Sequence, residues 1–321
     1  MHTASTARIP VGISQCLVGD PVRFNAGHKH SRLCTEQLGT LFDLRPVCPE
    51  VAIGLGTPRK AIRLAGDPVA PRAIGTKDNQ LDVTEALQSY ADEVNERSQD
   101  LCGFIFMQKS PSCGMERVKV YDHNGHPAPA TGQGVFAARL MQHNPLLPVE
   151  EEGRLHDPVL RENFVTRVIV YADWQQLVND GLSASRLLAF HARHKYLLMA
   201  HQAPSYRRMG QLLANPGRGD ALRETAAAYF SELMTALRRP ASRRGHSNVL
   251  QHVAGHFKRV LNPPEKAELQ QLISRYRSGV VPLVVPITLL QHHLLRHPDP
   301  YLLQQAYLQP HPPELSLRNA I

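Results

Sequence analysis

All five cysteines of this 321-residue chain, Cys16, Cys34, Cys48, Cys102 and Cys113, fall in its first 113 residues, and three of them follow apolar, strand-like runs. That placement limits the possible folds more than any other feature. Residues 9–14 lead into Cys16, residues 44–47 into Cys48, and residues 103–108 into the loop that holds Cys113. Helical apolar spacing is expected over 31–42, 83–98 and 134–142, with a further strand at 118–121. Strands and helices in alternation imply an α/β layer with a mainly parallel sheet. In such sheets the loops past the carboxyl ends of the strands meet at one crevice. The three thiols, though 32 and 65 residues apart, are therefore expected to converge. Cys34 and Cys102 lie within or beside expected elements and read as small buried hydrophobes.

The texture changes across residues 144–157, which hold two prolines, a glycine and three consecutive glutamates. A domain border is expected there, giving domains 1–150 and 151–321. Beyond it, helical spacing recurs at 158–180, 184–202, 221–238, 249–261, 265–277 and 287–296, which implies an all-α second domain. The tail, 308–321, has three prolines and is expected to run extended or frayed. Charge divides in the same place. The first 150 residues hold 15 basic and 15 acidic side chains, the rest 21 against 13, so the whole net charge of +8 belongs to the second domain. Either a polyanion partner or a solvated basic face accounts for it. An apolar fraction of 42% allows two cores and argues against wholesale disorder. The longest apolar run, 280–290, is broken by Pro282 and Pro286, and the start lacks a signal peptide's apolar core, so a cytoplasmic protein is expected.

The three cysteine loops read Ser14-Gln15-Cys16-Leu17-Val18-Gly19, Pro46-Val47-Cys48-Pro49-Glu50 and Lys109-Ser110-Pro111-Ser112-Cys113-Gly114. Glycine and proline fix tight turns and free backbone N–H groups, which suits thiolates that must receive hydrogen bonds. Spacing alone leaves three alternatives: zinc with an open position, an iron–sulfur cluster, or structural cysteines.

These loops resemble the thiouracil desulfidase (TudS) family. Its pattern stands here as ISQCLVGDPVRF from Ile13, PVCPE from Pro46, SPSCG from Ser110 and GQGVFA from Gly132. Val18 and Phe24 replace a leucine and a tyrosine, and neither is a proposed ligand. The resemblance spans about residues 9–148. It implies a 4Fe-4S cluster held by three cysteines, Cys16, Cys48 and Cys113, with the fourth iron open. It also implies that Glu50 acts as general acid and base and that Ser110 relays or positions a proton, with Ser14 and Ser112 as substitutes for that role. Arg23, Lys109 and the segment His28-Lys29-His30 are candidates for contact with a substrate's phosphate or ribose.

The second half resembles the domain that accompanies this module in RudS-type desulfidases of 4-thiouridine in transfer RNA. The resemblance lies in FHARHKYLLMAHQ from Phe190, YRRMG from Tyr206 and HVAGHFKR from His252. Arg207, Arg208, Arg243, Arg244, Lys258 and Arg259 are the RNA-binding candidates, with Tyr196, Tyr206 and Tyr276 interleaved for base stacking. His191, His194 and His201, and likewise His252 and His256, are helically spaced. A metal pair is one reading of them, and neutral or phosphate-facing histidines the simpler one. The function implied is removal of sulfur from 4-thiouridine in tRNA, giving uridine and sulfide without redox change. The alternatives are a desulfidase of free thiouracil or thionucleosides, and a non-catalytic iron–sulfur RNA-binding sensor, which would need no Glu50.

Overall fold

The computed structural model describes residues 8–122 and 124–321. Its contacts divide between His156 and Asp157 into two compact units.

The first unit runs β1 (Ile9–Ser14), β2 (Phe42–Val47), α1 (Pro49–Ala52), β3 (Ile62–Ala65), β4 (Arg72–Gly75), α2 (Thr84–Arg97), β5 (Phe104–Phe106), β6 (Val118–Tyr121), β7 (Pro127–Gly132), α3 (Val135–His143) and β8 (Val149–Glu151). The main sheet has the order β2-β1-β5-β8, and every neighbouring pair is parallel. The last four residues of β1 and all of β5 are buried, as parallel strands covered on both faces require. In register, Ile9 faces Phe42 and Ser14 faces Val47, so β1 and β2 end level. Strand β8 extends this sheet past residue 150, which carries the division of the chain on to His156.

A second sheet, β4-β3-β6-β7, is mixed, parallel only between β3 and β6. Only β6 of its strands was legible in the sequence. Strands β3 and β4 are four residues long and each includes an arginine. Strand β7 contains Pro127 and Pro129, tolerated because it lies at the edge. Residues 31–42 do not form the continuous helix expected. They make a π turn at Leu33–Gln37 and a 3-10 turn at Leu38–Thr40, after which Phe42 is taken into β2 opposite Ile9.

The second unit is helical: α4 (Pro158–Asn179), α5 (Ala184–His201), α6 (Ala203–Leu212), α7 (Asp220–Leu237), α8 (Arg243–His256), α9 (Pro263–Arg277), α10 (Val284–Arg296) and α11 (Pro300–Leu303). Its starts are chemically marked. Asp157 accepts from the N–H groups of Val159 and Leu160, Ser183 from that of Arg186, and Asn262 and Glu265 form a capping box on α9. Helix α8 begins at Arg243, six residues before 249, and Gly245 explains how it can. A Cβ there would lie 2.0 Å from the Ala200 carbonyl oxygen, so only glycine lets α8 pack this closely on α5. None of the described helices is long and apolar enough to cross a membrane.

The tail departs from expectation, because 308–321 is packed rather than frayed. Arg318, 5% exposed, donates from Nε to Glu162 at 3.2 Å and from Nη1 to the Tyr307 carbonyl at 2.6 Å, and Leu317 is buried beside it. Removing one partner of a buried pair strands the other charge. Arg318→Met should therefore cost about 3 kcal/mol or more in unfolding free energy, measured by urea denaturation; a loss below about 1 kcal/mol would mean that the tail does not hold this unit.

Candidate active site

Three neighbouring parallel strands deliver the three thiols. Strand β1 runs into a 3-10 turn, Gln15–Leu17, that carries Cys16. Cys48 is the single extended residue between β2 and α1. Cys113 follows β5 in the turn that begins at Ser110. One cavity of about 480 Å³ is lined by Cys16, Cys48, Cys113, Glu50 and Ser110 together. Cys34 and Cys102 stand apart from it, 0% and 2% exposed.

Burial is the largest influence on each thiol, and the Glu50 carboxylate is the next. Together they push Cys16 up to about 11 and Cys48 up to about 12, against the opposing pull of Arg59 on both and of Arg23 on Cys16. Cys113 is raised well above its ordinary value by burial and Glu50, with the other two thiols adding to the shift and a Ser14 hydrogen bond opposing it. Left to themselves the three remain protonated near neutral pH. Only a cationic centre bound among them would draw those protons off. Among the described residues no group of three His, Cys, Asp or Glu side chains stands close enough together to hold a metal ion.

Glu50 is held rather than free. Its Oε2 lies 3.5 Å from Cys48 Sγ and 3.8 Å from Arg59 Nη2, with the two side chains only 12% and 8% exposed. Arg59 is fixed in turn by donating from Nη1 to the carbonyls of Val22 at 2.8 Å and Gly56 at 3.1 Å. Sequence reasoning missed Arg59. It sits in a turn-rich run, Gly54-Leu55-Gly56-Thr57-Pro58, that marks a loop and gives no hint of a tertiary ion pair.

The Ser110 Oγ accepts from the N–H groups of Ser112 at 3.3 Å and Cys113 at 3.1 Å, which leaves its own hydrogen to donate. Of the two substitutes, Ser14 faces the cavity, and its Oγ accepts from Met107 N at 2.9 Å while its hydroxyl bonds Cys113. Ser112 is fully buried away from it. Arg23, Lys29, Arg59 and Lys109 all line the cavity, where Glu50 is the sole carboxylate among the described lining residues, so an anionic substrate group is favoured. His28 and His30 are not on its wall, and His30 pairs with Thr35 instead.

The fourth motif, around Gly134, supports the Cys113 loop. Gly134 N donates to Gly114 O at 2.8 Å, Val135 N to Pro111 O at 3.0 Å and Ala137 N to Ser112 O at 3.0 Å. A Cβ on Gly134 would sit 2.6 Å from the Ser112 carbonyl, so glycine is needed for the contact.

In the second unit all six candidates, Arg207, Arg208, Arg243, Arg244, Lys258 and Arg259, are exposed. Arg208 is tied to Glu232 and donates to Ser205 Oγ at 2.8 Å, while Arg243 donates to the Tyr276 carbonyl at 3.0 Å and covers that ring at 4.9 Å. Tyr196 and Tyr276, expected as stacking surfaces, are 3% and 1% exposed and belong to the core, on the inner faces of α5 and α9. Among the histidines of the metal-pair reading, His194, His201 and His256 have other partners. His194 bonds the Phe190 carbonyl and pairs with Asp173, His201 bonds the Arg239 carbonyl, and His256 pairs with Asp299.

A thiol-lined cavity at the carboxyl ends of a parallel sheet, with a fixed carboxylate beside it, is the candidate site of an α/β unit that precedes a helical one. Residues 11–152 match the family model described as 2-thiouracil desulfurase, and residues 195–312 match the DUF1722 model. Over 159 residues the chain is 31% identical to the uncharacterized protein YbgA of Escherichia coli (strain K12), a stretch that covers 50% of this chain and 94% of that one. The chain belongs to the family of that relative. A solved structure of a [4Fe-4S]-dependent thiouracil desulfidase, TudS, aligns with 47% of this chain and 95% of its own, at 27% identity and a TM-score of 0.38.

The support that Gly134 gives the Cys113 loop is open to test. Gly134→Ala should cost about 1–3 kcal/mol, the usual result of forcing a methyl into a packed contact, in urea unfolding. Unchanged stability would show that the loop can move aside.

Proposed function

We propose that the first unit is a 4Fe-4S desulfidase that converts 4-thiouridine in transfer RNA to uridine and sulfide without net redox change, while the basic second unit holds the RNA. The observation that carries this is the convergence of Cys16, Cys48 and Cys113 with Glu50 and Ser110 on one cavity, inside the segment that matches the 2-thiouracil desulfurase model. Cys16, Cys48 and Cys113 would hold the cluster, which when bound supplies an open iron as a soft Lewis acid for a thiocarbonyl sulfur. The chain's own residues do the remaining work. Glu50, fixed by Arg59, takes a proton from the water that attacks the carbon and returns it on the leaving side. Ser110, whose oxygen is occupied by two backbone donors, offers its hydrogen to the reacting group. Arg23, Lys29 and Lys109 draw in the substrate's phosphate. Glu50 inside the cavity favours an enzyme over a sensor, since ligation alone has no use for it. Reduced buried thiols fit a cytoplasmic setting.

Anaerobically purified protein should be brown, with about four irons per chain. Cys16→Ser, Cys48→Ser and Cys113→Ser should each abolish the colour, and Cys34→Ser and Cys102→Ser should keep it; a full iron complement in any of the first three removes that residue from the ligand set. Glu50→Gln should retain the visible spectrum yet lower turnover roughly a hundredfold or more. Near-normal turnover would end its catalytic assignment.

The substrate is tested by incubating the intact protein with bulk bacterial tRNA and quantifying each thiolated nucleoside by mass spectrometry. 4-Thiouridine should disappear while 2-thio nucleosides persist; the reverse would reassign the substrate. Arg207→Ala with Arg244→Ala should raise the KM for tRNA and spare small thiopyrimidines. Each lost phosphate contact should reduce the logarithmic salt slope of binding by about one at most.

A further inference from the structure

Three sequence segments of the second unit that the desulfidase chemistry does not use, those around Phe190, Tyr206 and His252, meet at one half-buried cluster. Helix α5 contributes His191, Lys195 and Tyr196, α6 contributes Tyr206, α8 contributes His256, and Tyr301 comes from α11. The Lys195 ammonium lies 5.5 Å from the ring centre of Tyr196 and 5.8 Å from those of both Tyr206 and Tyr301. Among the described residues it forms no ion pair.

The rings around it are set flat in pairs. His191 is parallel to Tyr206 within 3°, and His256 to Tyr301 within 8°, with centroids 5.9 and 5.7 Å apart. Hydrogen bonds lock both pairs. His256 binds Asp299 through Nδ1 at 2.9 Å and the Tyr196 hydroxyl through Nε2 at 3.0 Å, while His191 Nδ1 meets the Tyr229 hydroxyl at 3.2 Å. Burial first, and then the charge of Lys195, bring His191 down to about 4, so at neutral pH its ring is an uncharged flat surface.

An ammonium that meets three aromatic rings and no carboxylate can still take an anionic group, and the fixed rings beside it a planar one. A nucleotide has both, and only an unpaired nucleotide of a folded RNA can present its base face to a ring. We propose that the Lys195 cluster docks one unpaired nucleotide of RNA, with Lys195 on its phosphate and Tyr206 or Tyr301 against its base. The site rests on the reading of the second unit as an RNA holder, and its Tyr206 is the immediate chain neighbour of Arg207.

The test measures equilibrium binding of bulk bacterial tRNA to the intact protein across a salt series, with each variant's melting temperature recorded. Tyr206→Leu and Tyr301→Leu should each weaken binding about tenfold with the salt slope unchanged, as lost stacking does. Tyr206→Phe and Tyr301→Phe, which keep the ring, should bind like the parent. Lys195→Gln should weaken binding and lower the logarithmic salt slope by about one at most. If a leucine variant melts early, Lys195→Gln and the phenylalanine variants decide. Parental affinity in Lys195→Gln and in both leucine variants would overturn the site and leave RNA binding by the second unit standing. If the parent protein itself fails to bind tRNA, that broader reading falls and takes this one with it. Equal losses in leucine and phenylalanine variants would overturn stacking in favour of the hydroxyls.

Discussion

The hydrogen-bonded register between β1 and β2 sets everything that follows in the first unit. Because Ser14 lies opposite Val47, the chain leaves both strands at the same height, and the residues just beyond them, Cys16 and Cys48, emerge side by side. Strand β5 on the other flank of β1 brings the Cys113 loop to the same rim. The last four residues of β1 and all of β5 are buried on both faces, and a slip would force their side chains out of a close-packed fit. The thiols thus converge because the sheet's hydrophobic core fixes where its strands stop.

This is also why so much of the candidate site could be read from the sequence. Strands β1 and β5 are apolar, and each cysteine loop has its own turn residues, so the parallel sheet and its cysteine rim followed from local pattern alone. Other features had no local signature. Arg59 reaches Glu50 across a loop, and nothing in its neighbours announces the pairing. The second sheet is built from short strands with charged or proline positions, which satisfy each other only once paired. In the helical unit, counting aromatic residues among arginines could not separate Tyr196 and Tyr276, which face the core, from Tyr206, which is only half-buried. Helical spacing shows that a residue shares a face with others but not which face is covered. The tail was misjudged for a related reason: its three prolines suggested an extended end, whereas the ion pair of Arg318 with Glu162 joins residues 156 positions apart.

The two units handle charge in opposite ways. In the first, one carboxylate sits among three buried thiols and is balanced by Arg59, so the field inside the cavity is set by a few fixed groups in a poorly solvated space. In the second, most of the candidate cations are solvent-exposed, where salt screens them and each adds little alone.

The seat of the Cys113 loop has one more consequence. Gly114, Pro111 and Ser112 accept hydrogen bonds from the backbone of Gly134, Val135 and Ala137, so what α3 contributes to the position of that thiol is recorded in main-chain atoms. The changes this allows in α3 lie outside its buried face, which Val135, Phe136, Ala137 and Leu140 pack into the core. The tolerance stops at Gly134, where any side chain would reach the loop before the hydrogen bonds could form.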